Sequence, residues 1–512
     1  MPEADIVVAG AGHNSLVAAA YLALAGFEVL VLEERPVVGG DTATEELTLP
    51  GFLHDSCSTA HNLIQASPAI RELGLENYGL EYLHPDPVVH VPFPDGTWLT
   101  QWRDLERTCQ EFAKFSVRDA DAYRRLIADY DGAKAVFGAY RDNPVGRAPR
   151  PEETLDGGWR RRLAMSAWDV IRLEFEDWHT RAFMLWMAMM TVQPGDRPGT
   201  GLLAYSLVYG RQQHSWTLPR GGSAALPLAL ARLIEQHGGT LVTATRVSGL
   251  VLEGRRCVGV ETTDGETYRA RRGVVSTVHV KHLVEMAPAE LWGDDFVAAV
   301  EAWRPGIALF PAHYATTTAP AYPVDGGELV PVASGTAPSV DRLLRVGSDA
   351  ARGLVRDDDP MLLVVCATVA DPSRAPGGRH VLKVLGFQPY ELADGAGRWD
   401  DLKEEVAARN LEQLQRYAPN LTDETILARV VKSPLDLERM NAHNWHGTCH
   451  GGDLNPAQSG ALRFSPKTPI AGLYQTGATT HPGGSVSAAP GRNTAIVVLE
   501  ELGSSLAEVV GA

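Results

Sequence analysis

The first 33 residues hold the pattern that most constrains the fold: an apolar strand, a glycine-rich turn, an apolar helix and a second apolar strand. Residues 6–9 are all apolar, as expected of a buried parallel strand, and residues 29–32 form a second run of this kind. Between them, residues 16–25 are rich in Ala and Leu and are followed by Gly26, a residue type that commonly ends a helix. The pattern predicts a βαβ unit and therefore an α/β fold with a parallel sheet.

The same stretch resembles a membrane span in one respect. Residues 6–27 contain no Asp, Glu, Lys or Arg, and 22 such residues are long enough to cross a bilayer as a helix. However, the stretch contains the polar trio His13, Asn14 and Ser15. The first basic residue of the chain is Arg35, so the charged start of a signal peptide is missing. We therefore expect no integral membrane segment.

The composition narrows the possible partners and the redox chemistry. The chain of 512 residues has a net charge of −17, which argues against nucleic acid as a partner because that affinity depends on Lys and Arg contacts to phosphate. Its five cysteines are odd in number, widely spaced and never in a CxxC motif. This usage predicts no disulfide framework, no metal site and no dithiol redox centre, and it is typical of a reduced, cytoplasmic protein.

The turn after the first strand has the spacing of a dinucleotide-binding motif, with Gly10, Gly12 and Ser15 at its three key positions. The first glycine permits the tight turn, and the second lets the backbone approach a pyrophosphate. Ser15 replaces the third glycine and is small enough for helix and strand to pack closely. The phosphates would lie at the helix N-terminus, where free N–H groups favour anions. Glu33, 23 positions after Gly10, can accept hydrogen bonds from ribose hydroxyls and disfavours a 2′-phosphate.

A second glycine motif begins two residues after this acid. Arg35 opens the segment that ends in the pair Gly39-Gly40, and paired glycines allow another backbone segment to approach a bound cofactor. A surface turn would not require the motif to start so close to Glu33. We therefore place Arg35, Gly39 and Gly40 among the cofactor-binding residues.

These motifs resemble those of FAD-binding oxidoreductases of the phytoene desaturase, carotenoid isomerase and retinol saturase type. The resemblance implies FAD as the cofactor, with the Gly39-Gly40 segment helping to hold it. Near the C-terminus, residues 472–484 resemble the closing strand of this family and the turn beneath the flavin. The match implies that Gly477 and Gly484 belong to the cofactor site, and a helix over residues 494–502 is expected to follow.

A third match lies in the middle of the chain. Residues 219–226 resemble the family's PxGGxxxL segment, and a helix through Ile234 and a strand follow it. Residues 247–262 then read as a hairpin-like pair of strands. The resemblance implies that Val247 supplies backbone contacts to adenine.

The three matches imply a divided architecture. A Rossmann-type FAD-binding domain, discontinuous in sequence, would be built from residues 1–75, 217–280 and 456–512. The intervening residues, 76–216 and 281–455, would form an α+β substrate domain inserted into it.

The inserted segments contain several recognisable elements. Residues 183–190 are large and apolar, and they fit either a buried core helix or the wall of an apolar pocket. Residues 119–130 predict a charged amphipathic helix, and the strand 380–386 with the helix 401–418 predicts a cap over the substrate. Residues 341–359 are rich in charge and glycine and predict an exposed loop.

The expected reaction follows from the resemblance and from two missing motifs. No second GxGxxG motif and no CxxC motif occur, which argues against a nicotinamide site and against flavin disulfide reductases. We expect an FAD-dependent desaturase or dehydrogenase that moves a hydride from a carbon of a small apolar or cyclic substrate to the flavin, with oxygen or a quinone as the electron acceptor. A flavin amine oxidase acting on a C–N bond, a flavin-dependent isomerase and a non-catalytic escort protein are the alternatives.

The motifs do not define a catalytic base. His481 lies in the C-terminal turn, and His61 follows a stretch whose counterpart in the family lies close to the flavin, so these two are the candidates. Residues 443–450 contain three His and one Cys, but they lack the second ligand pair of a zinc site.

Overall fold

The computed structural model describes residues 2–356 and 358–511, and this part of the chain contains twenty strands. In chain order the strands are β1 Glu3–Ala9, β2 Val29–Leu32, β3 Thr44–Glu46, β4 Leu53–Asp55, β5 Tyr82–Leu83, β6 Val89–Pro92, β7 Trp98–Gln101, β8 Leu218–Pro219, β9 Thr240–Val242, β10 Val247–Glu253, β11 Arg256–Thr262, β12 Thr267–Ser276, β13 Ala308–Thr316, β14 Tyr322–Val324, β15 Gly327–Leu329, β16 Ala333–Thr336, β17 Leu362–Val365, β18 His380–Gln388, β19 Ile426–Val431 and β20 Leu473–Gln475.

Eighteen α-helices, several of them single turns, connect and cover these strands within the same described ranges. In chain order the helices are α1 His13–Leu24, α2 Ala69–Glu72, α3 Leu105–Ala113, α4 Val117–Arg141, α5 Pro151–Thr154, α6 Gly157–Ala164, α7 Ala167–Glu174, α8 Trp178–Met189, α9 Leu203–His214, α10 Ala225–Gln236, α11 Val280–Leu283, α12 Ala289–Trp292, α13 Asp294–Glu301, α14 Val340–Ala351, α15 Trp399–Tyr417, α16 Pro434–Met440, α17 Ala489–Glu501 and α18 Leu506–Gly511.

Parallel pairing organises the first sheet. Its parallel strands follow the order β9-β2-β1-β12-β20, and the β10–β11 hairpin extends it by pairing antiparallel with the first half of β12. These strands come from three separate parts of the chain, which are brought together because β1 pairs with β12 as well as with β2. The predicted α/β fold of Rossmann type is confirmed, whereas the exact domain boundaries stay a prediction.

Helix α1 explains why the start of the chain looks like a membrane span. The helix shares an apolar core with β1, α10 and α17, so its side chains from Asn14 to Ala23 are all buried. A helix that is buried on all sides is apolar on all sides. Helix α17 packs so closely that a Cβ atom on Gly491 would lie 2.1 Å from the carbonyl oxygen of Asn14. Among the described residues, no helix has the length and apolar character needed to span a bilayer.

A second, mostly antiparallel sheet is built from the two inserted segments. Its order is β19-β13-β18-β17-β16-β6-β7, and only the β16–β6 pairing in this order is parallel. Strands β6 and β7 belong to the first insertion and the other five to the second. Helices α4, α8 and α9 share a core with one side of this sheet, and α15 shares a core with the other.

The apolar run at 183–190 forms most of α8. Every side chain from Phe183 to Met189 is at most 1% exposed, so the interpretation as a buried core helix is confirmed. Trp186 is at its centre: its Nε1–H donates to the carbonyl of Leu362 at 3.0 Å. The ring also covers Gly335, where a Cβ atom would lie 2.1 Å from Cζ2 of Trp186.

Two expectations about helices were wrong. Residues 341–359 are not a loop throughout, because α14 forms over Val340–Ala351 with the Ser339 side chain accepting a hydrogen bond from the Arg342 N–H at its start. The C-terminal helix, expected from residue 494, begins at Ala489. Pro490 lies in its first turn. Backbone N–H groups in the first turn of a helix have no acceptor within the helix, so proline, which lacks an N–H, loses no hydrogen bond there.

We expect Trp186→Ala to lower the free energy of unfolding by about 3–5 kcal/mol, because it leaves a cavity in the core and removes the hydrogen bond to Leu362. Trp178→Ala, in the first turn of the same helix, is the matched control, since Trp178 is 39% exposed. Thermal and urea unfolding of the two variants check this. Equal losses of stability would show that the α8 core does not carry the stability assigned to it.

Candidate cofactor and substrate site

A cavity of about 1680 Å³ lies where the two sheets meet. Sites for one small molecule usually measure about 300–1,000 Å³, so this cavity has room for two. At one end it is bordered by the turns that follow β1 and β20. At the other it is bordered by side chains of α4 and α9 and by Leu309, Leu363 and Leu385 of the second sheet.

The turn between β1 and α1 presents backbone to the cavity. Gly10 has φ +94°, and a Cβ atom there would lie 2.4 Å from Cγ2 of Thr277, so the turn requires glycine. Gly12 has an ordinary φ of −67°, and a Cβ atom there would meet only Oγ1 of Thr277 at 3.9 Å. Neither the backbone conformation nor contacts with other protein atoms therefore require glycine at position 12. The free space in front of Gly12 belongs to the cavity.

The start of α1 is suited to an anion. Gly12 is the N-cap, no side chain caps the helix, and its first turn contains no acidic residue. The free N–H groups and the helix dipole therefore act on the cavity without a competing charge. Ser15 is buried, and its hydroxyl lies 2.6 Å from the Gly10 carbonyl oxygen and 2.9 Å from that of Gly12. The serine thus closes the turn internally and does not border the cavity.

Glu33 borders the cavity at the end of β2. Its carboxylate accepts from the backbone N–H of Ala11 at 2.7 Å and from that of Arg35 at 2.9 Å. Burial raises the pKa of Glu33, and the two backbone hydrogen bonds oppose this rise. Arg35 also borders the cavity and forms an ion pair with Glu45 at 2.7 Å. The acid therefore ties the glycine turn to the segment that follows it.

The Gly39-Gly40 pair lies against the first glycine turn. The N–H of Gly39 donates to the Ala11 carbonyl at 2.8 Å, and a Cβ atom on Gly40 would lie 3.4 Å from Cα of Gly12. Both glycines border the cavity. The glycines thus let two backbone segments lie against each other beside the cavity, whereas their approach to a bound cofactor stays a prediction.

The remaining predicted cofactor residues border the same cavity. Val247 begins β10 and lies, with its neighbours, at the end of the cavity that holds Glu33. Gly477 and Gly484 lie between β20 and α17 and border the cavity from the C-terminal segment. The structure thus brings together residues that are up to 474 positions apart in the chain.

Thr277 is a site residue that the sequence reasoning missed. Its N–H donates to the Ala9 carbonyl at 3.0 Å, and its carbonyl accepts from Nδ1 of His443 at 2.8 Å. Its side chain fills the space beside both Gly10 and Gly477. A Cβ atom on Gly477 would lie 2.7 Å from the Oγ1 of Thr277. Its position directly after β12 could have identified it from sequence, because ligands of open parallel sheets bind at the carboxyl ends of the strands.

The two candidate histidines lie in different surroundings. His481 borders the cavity, and its Nε2 lies 2.9 Å from the Tyr140 carbonyl, which can only accept, so the proton is on Nε2. Its Nδ1 is buried without a partner among the described residues. His61 is not among the residues that border the cavity. Its two ring nitrogens contact the hydroxyls of Tyr82 and Ser223, both at 3.1 Å. A catalytic role for either histidine stays a prediction.

The structure also brings two distant cysteines together. The sulfur atoms of Cys57 and Cys449 and one carboxylate oxygen of Asp41 all lie within 4.8 Å of one another, beside the cavity. The wide spacing of the cysteines in sequence therefore did not mean wide spacing in the fold. Asp41 also accepts hydrogen bonds from the side-chain amides of Asn441 and Asn444, which fix the 441–450 segment over the cavity.

Comparison with known proteins gives this site a family. The family model described as "Flavin containing amine oxidoreductase" matches residues 16–491. The chain is 28% identical to "Pyridine nucleotide-disulfide oxidoreductase domain-containing protein 2" of Mus musculus, over 98% of this chain and 94% of the relative. It is 26% identical to the lycopene-forming phytoene desaturase of Pseudescherichia vulneris, over 97% and 99%. A triple variant of putrescine oxidase has the same fold, with a TM-score of 0.66 at 16% identity over 98% and 99% of the two chains.

The fold and the glycine cradle therefore define a flavoprotein. The chain belongs to the flavin containing amine oxidoreductase family, and it is an FAD-dependent oxidoreductase. The expected resemblance to phytoene desaturases is confirmed. The residues present fit FAD, because the space in front of Gly12 and the uncapped start of α1 are what a pyrophosphate requires.

We expect Gly12→Ala to lower the FAD content of the purified protein by about tenfold or more, because the added methyl group points into the space reserved for the cofactor. Without cofactor, the variant should unfold at the same temperature as the cofactor-free native protein, since the nearest protein atom is 3.9 Å from the new carbon. Flavin absorbance and thermal unfolding measure the two effects.

Gly132→Ala, in α4, is the matched control, since a Cβ atom there meets no atom within 4 Å. It should keep its FAD. A Gly12→Ala variant that retains a full complement of FAD would contradict the position given to the pyrophosphate.

Proposed function

We propose that this FAD-dependent oxidoreductase removes a hydride from a carbon of an apolar or cyclic substrate and forms a C=C bond, with oxygen or a quinone receiving the electrons. The observation that carries the proposal is the lining of the cavity away from the glycine turns. The strands of the second sheet supply only leucines there, and the helices of the first insertion add further leucines and aromatic rings beside a few charged groups. The aliphatic lining includes Leu163, Met190, Leu203, Leu207, Leu309 and Leu385.

The cofactor-binding residues act through backbone and charge. The turn Gly10–Gly12 and the start of α1 would hold the pyrophosphate, and Glu33 would accept from the ribose. Val247 would contact adenine, and Gly477 and Gly484 would lie against the flavin. When bound, FAD supplies the acceptor for the hydride. The aliphatic wall orients the substrate and excludes water from the reacting carbon.

His481 is suited to take the proton that must leave when a C=C bond forms. Its Nε2–H donates to the Tyr140 carbonyl, which leaves Nδ1 unprotonated, buried and without a partner among the described residues. Burial lowers the pKa of His481, so the imidazole is neutral at pH 7. We propose that Nδ1 accepts this proton, as a general base.

The charge of the cavity argues against the amine alternative. Of the cations that the inserted helices contribute to its lining, Lys134 and Arg141 are paired with Asp131 and Asp142, whereas the buried Arg211 has no carboxylate of the described residues within ion-pair distance. A protonated amine is repelled by this unpaired cation. The stacked rings of Tyr130 and Phe137 also border the cavity, and stacked rings can receive apolar groups as well as cations.

The direct test mixes the oxidised holoprotein with candidate substrates in the absence of oxygen. Phytoene or a cyclic alkene should bleach the flavin, and oxygen or a quinone should restore its colour, whereas putrescine should leave it unchanged. A flavin-dependent isomerase would convert substrate without accumulating reduced flavin. Bleaching by the amine but not by the hydrocarbons would overturn the proposal. Bleaching by neither class would exclude both the desaturase and the amine oxidase hypotheses.

We expect His481→Ala to slow flavin reduction by about 10²–10⁴-fold while FAD remains bound, as for loss of a general base. Because the pKa of His481 is lowered, the rate should fall only at a pH below 6.5, the ordinary value for histidine, and this acid limb should vanish in the variant. His237→Ala is the control, since His237 is exposed on the surface. Anaerobic stopped-flow across pH measures both, and full turnover by His481→Ala would remove it from the mechanism.

A further inference from the structure

Arg211 is a buried cation on the wall of the cavity. It lies in the last turn of α9, is 3% exposed and borders the cavity. Burial is the single cause that lowers its pKa, to about 9, which leaves the side chain charged at pH 7. No carboxylate of the described residues lies within ion-pair distance of it.

The contacts that Arg211 does make leave most of its donors unused. Its Nη1 lies 2.6 Å from Sδ of Met187, and its Cζ lies 4.0 Å from the centroid of the Trp216 ring. A thioether is a weak acceptor, and a ring face attracts the cation without accepting its hydrogen bonds in the plane of the guanidinium. The Nε–H is buried and has no partner among the described residues.

Trp216 adds a second unused donor to the same place. It is fully buried and borders the cavity, and its Nε1–H has no partner among the described residues. The stacking of Arg211 on its ring keeps the two groups adjacent. Buried N–H donors without acceptors are costly, and a buried charge without a counter-charge is more so. An acceptor with negative charge is therefore missing from the protein at this point.

We propose that Arg211 and Trp216 bind a carboxylate at one end of the substrate, whose apolar body lies along the aliphatic wall. This rests on the proposed function and narrows it, because the substrate becomes an apolar acid. A guanidinium can hold a carboxylate through two parallel N–H bonds, which also fixes the direction in which the substrate lies. Arg211 is thus a residue that determines specificity and position.

The neighbouring cations of the cavity have partners of their own. Lys134 and Arg141 also border the cavity, and they pair with Asp131 and Asp142. Of these three cations, Arg211 is therefore the one left for an anionic ligand.

Calorimetric titration of the oxidised holoprotein with decanoate and with decan-1-ol tests this. The two probes share an apolar chain and differ in the charged end. We expect decanoate to bind about tenfold or more tightly than the alcohol, as for a hydrogen bond to a charged group. Arg211→Met should abolish the preference, and Arg211→Lys should keep part of it. Arg160→Met, which removes an exposed charge from the same cavity, should keep all of it.

Equal binding of the two probes by the native protein would overturn the proposal without any variant. Unchanged decanoate binding by Arg211→Met would also overturn it. A loss of flavin from Arg211→Met would assign the guanidinium to the cofactor instead, so the FAD content of each variant is measured alongside. No turnover occurs in these titrations, so failure of the hydride-transfer proposal would leave a carboxylate preference intact.

Discussion

The end of strand β12 is the point on which the site depends. Thr277 follows it, and its backbone and side chain meet the turn after β1, the turn after β20 and the segment that holds His443. Parallel pairing of β1, β12 and β20 brings three distant parts of the chain to one edge. The carboxyl ends of parallel strands meet at the same edge, so the cofactor cradle is a direct result of sheet topology.

The cavity has two kinds of wall. Near the parallel sheet it is lined by backbone and small residues, which suits a large polar cofactor, and near the second sheet it is lined by aliphatic and aromatic side chains. Several histidines border the cavity, and burial lowers the pKa of each of those that follow: His13, His279, His443, His450 and His481. A neutral imidazole adds no charge to the site at rest, and it gains one positive charge when it accepts a proton.

The elements that sequence predicted correctly depend on neighbours in the chain. The first βαβ unit, the β10–β11 hairpin and the position of Glu33 follow from local periodicity and short motifs. The missed features depend on long-range pairing. Thr277 gains its role because β12 lies between β1 and β20, and Cys57 meets Cys449 because two loops converge on the cavity. No spacing rule within the chain could show either contact.

Tertiary contacts explain one wrong expectation and bear on a second that stays a prediction, the catalytic role of His61. Residues 341–359 look like a charged loop, yet Leu343 and Gly347 lie on the buried face of α14, and the space that Gly347 leaves is filled by Pro194. His61 was chosen for its nearness to the flavin, yet its ring is taken up by Tyr82 and Ser223, which join separate segments of the chain. In both cases tertiary contacts decide which face of a residue is available.

The most direct test of the whole account is to denature the purified protein and to identify and count the flavin that is released. The glycine turns, the acid at the end of β2 and the size of the cavity predict one FAD per chain. Release of FMN, or a folded protein that binds no flavin even when FAD is added, would contradict it.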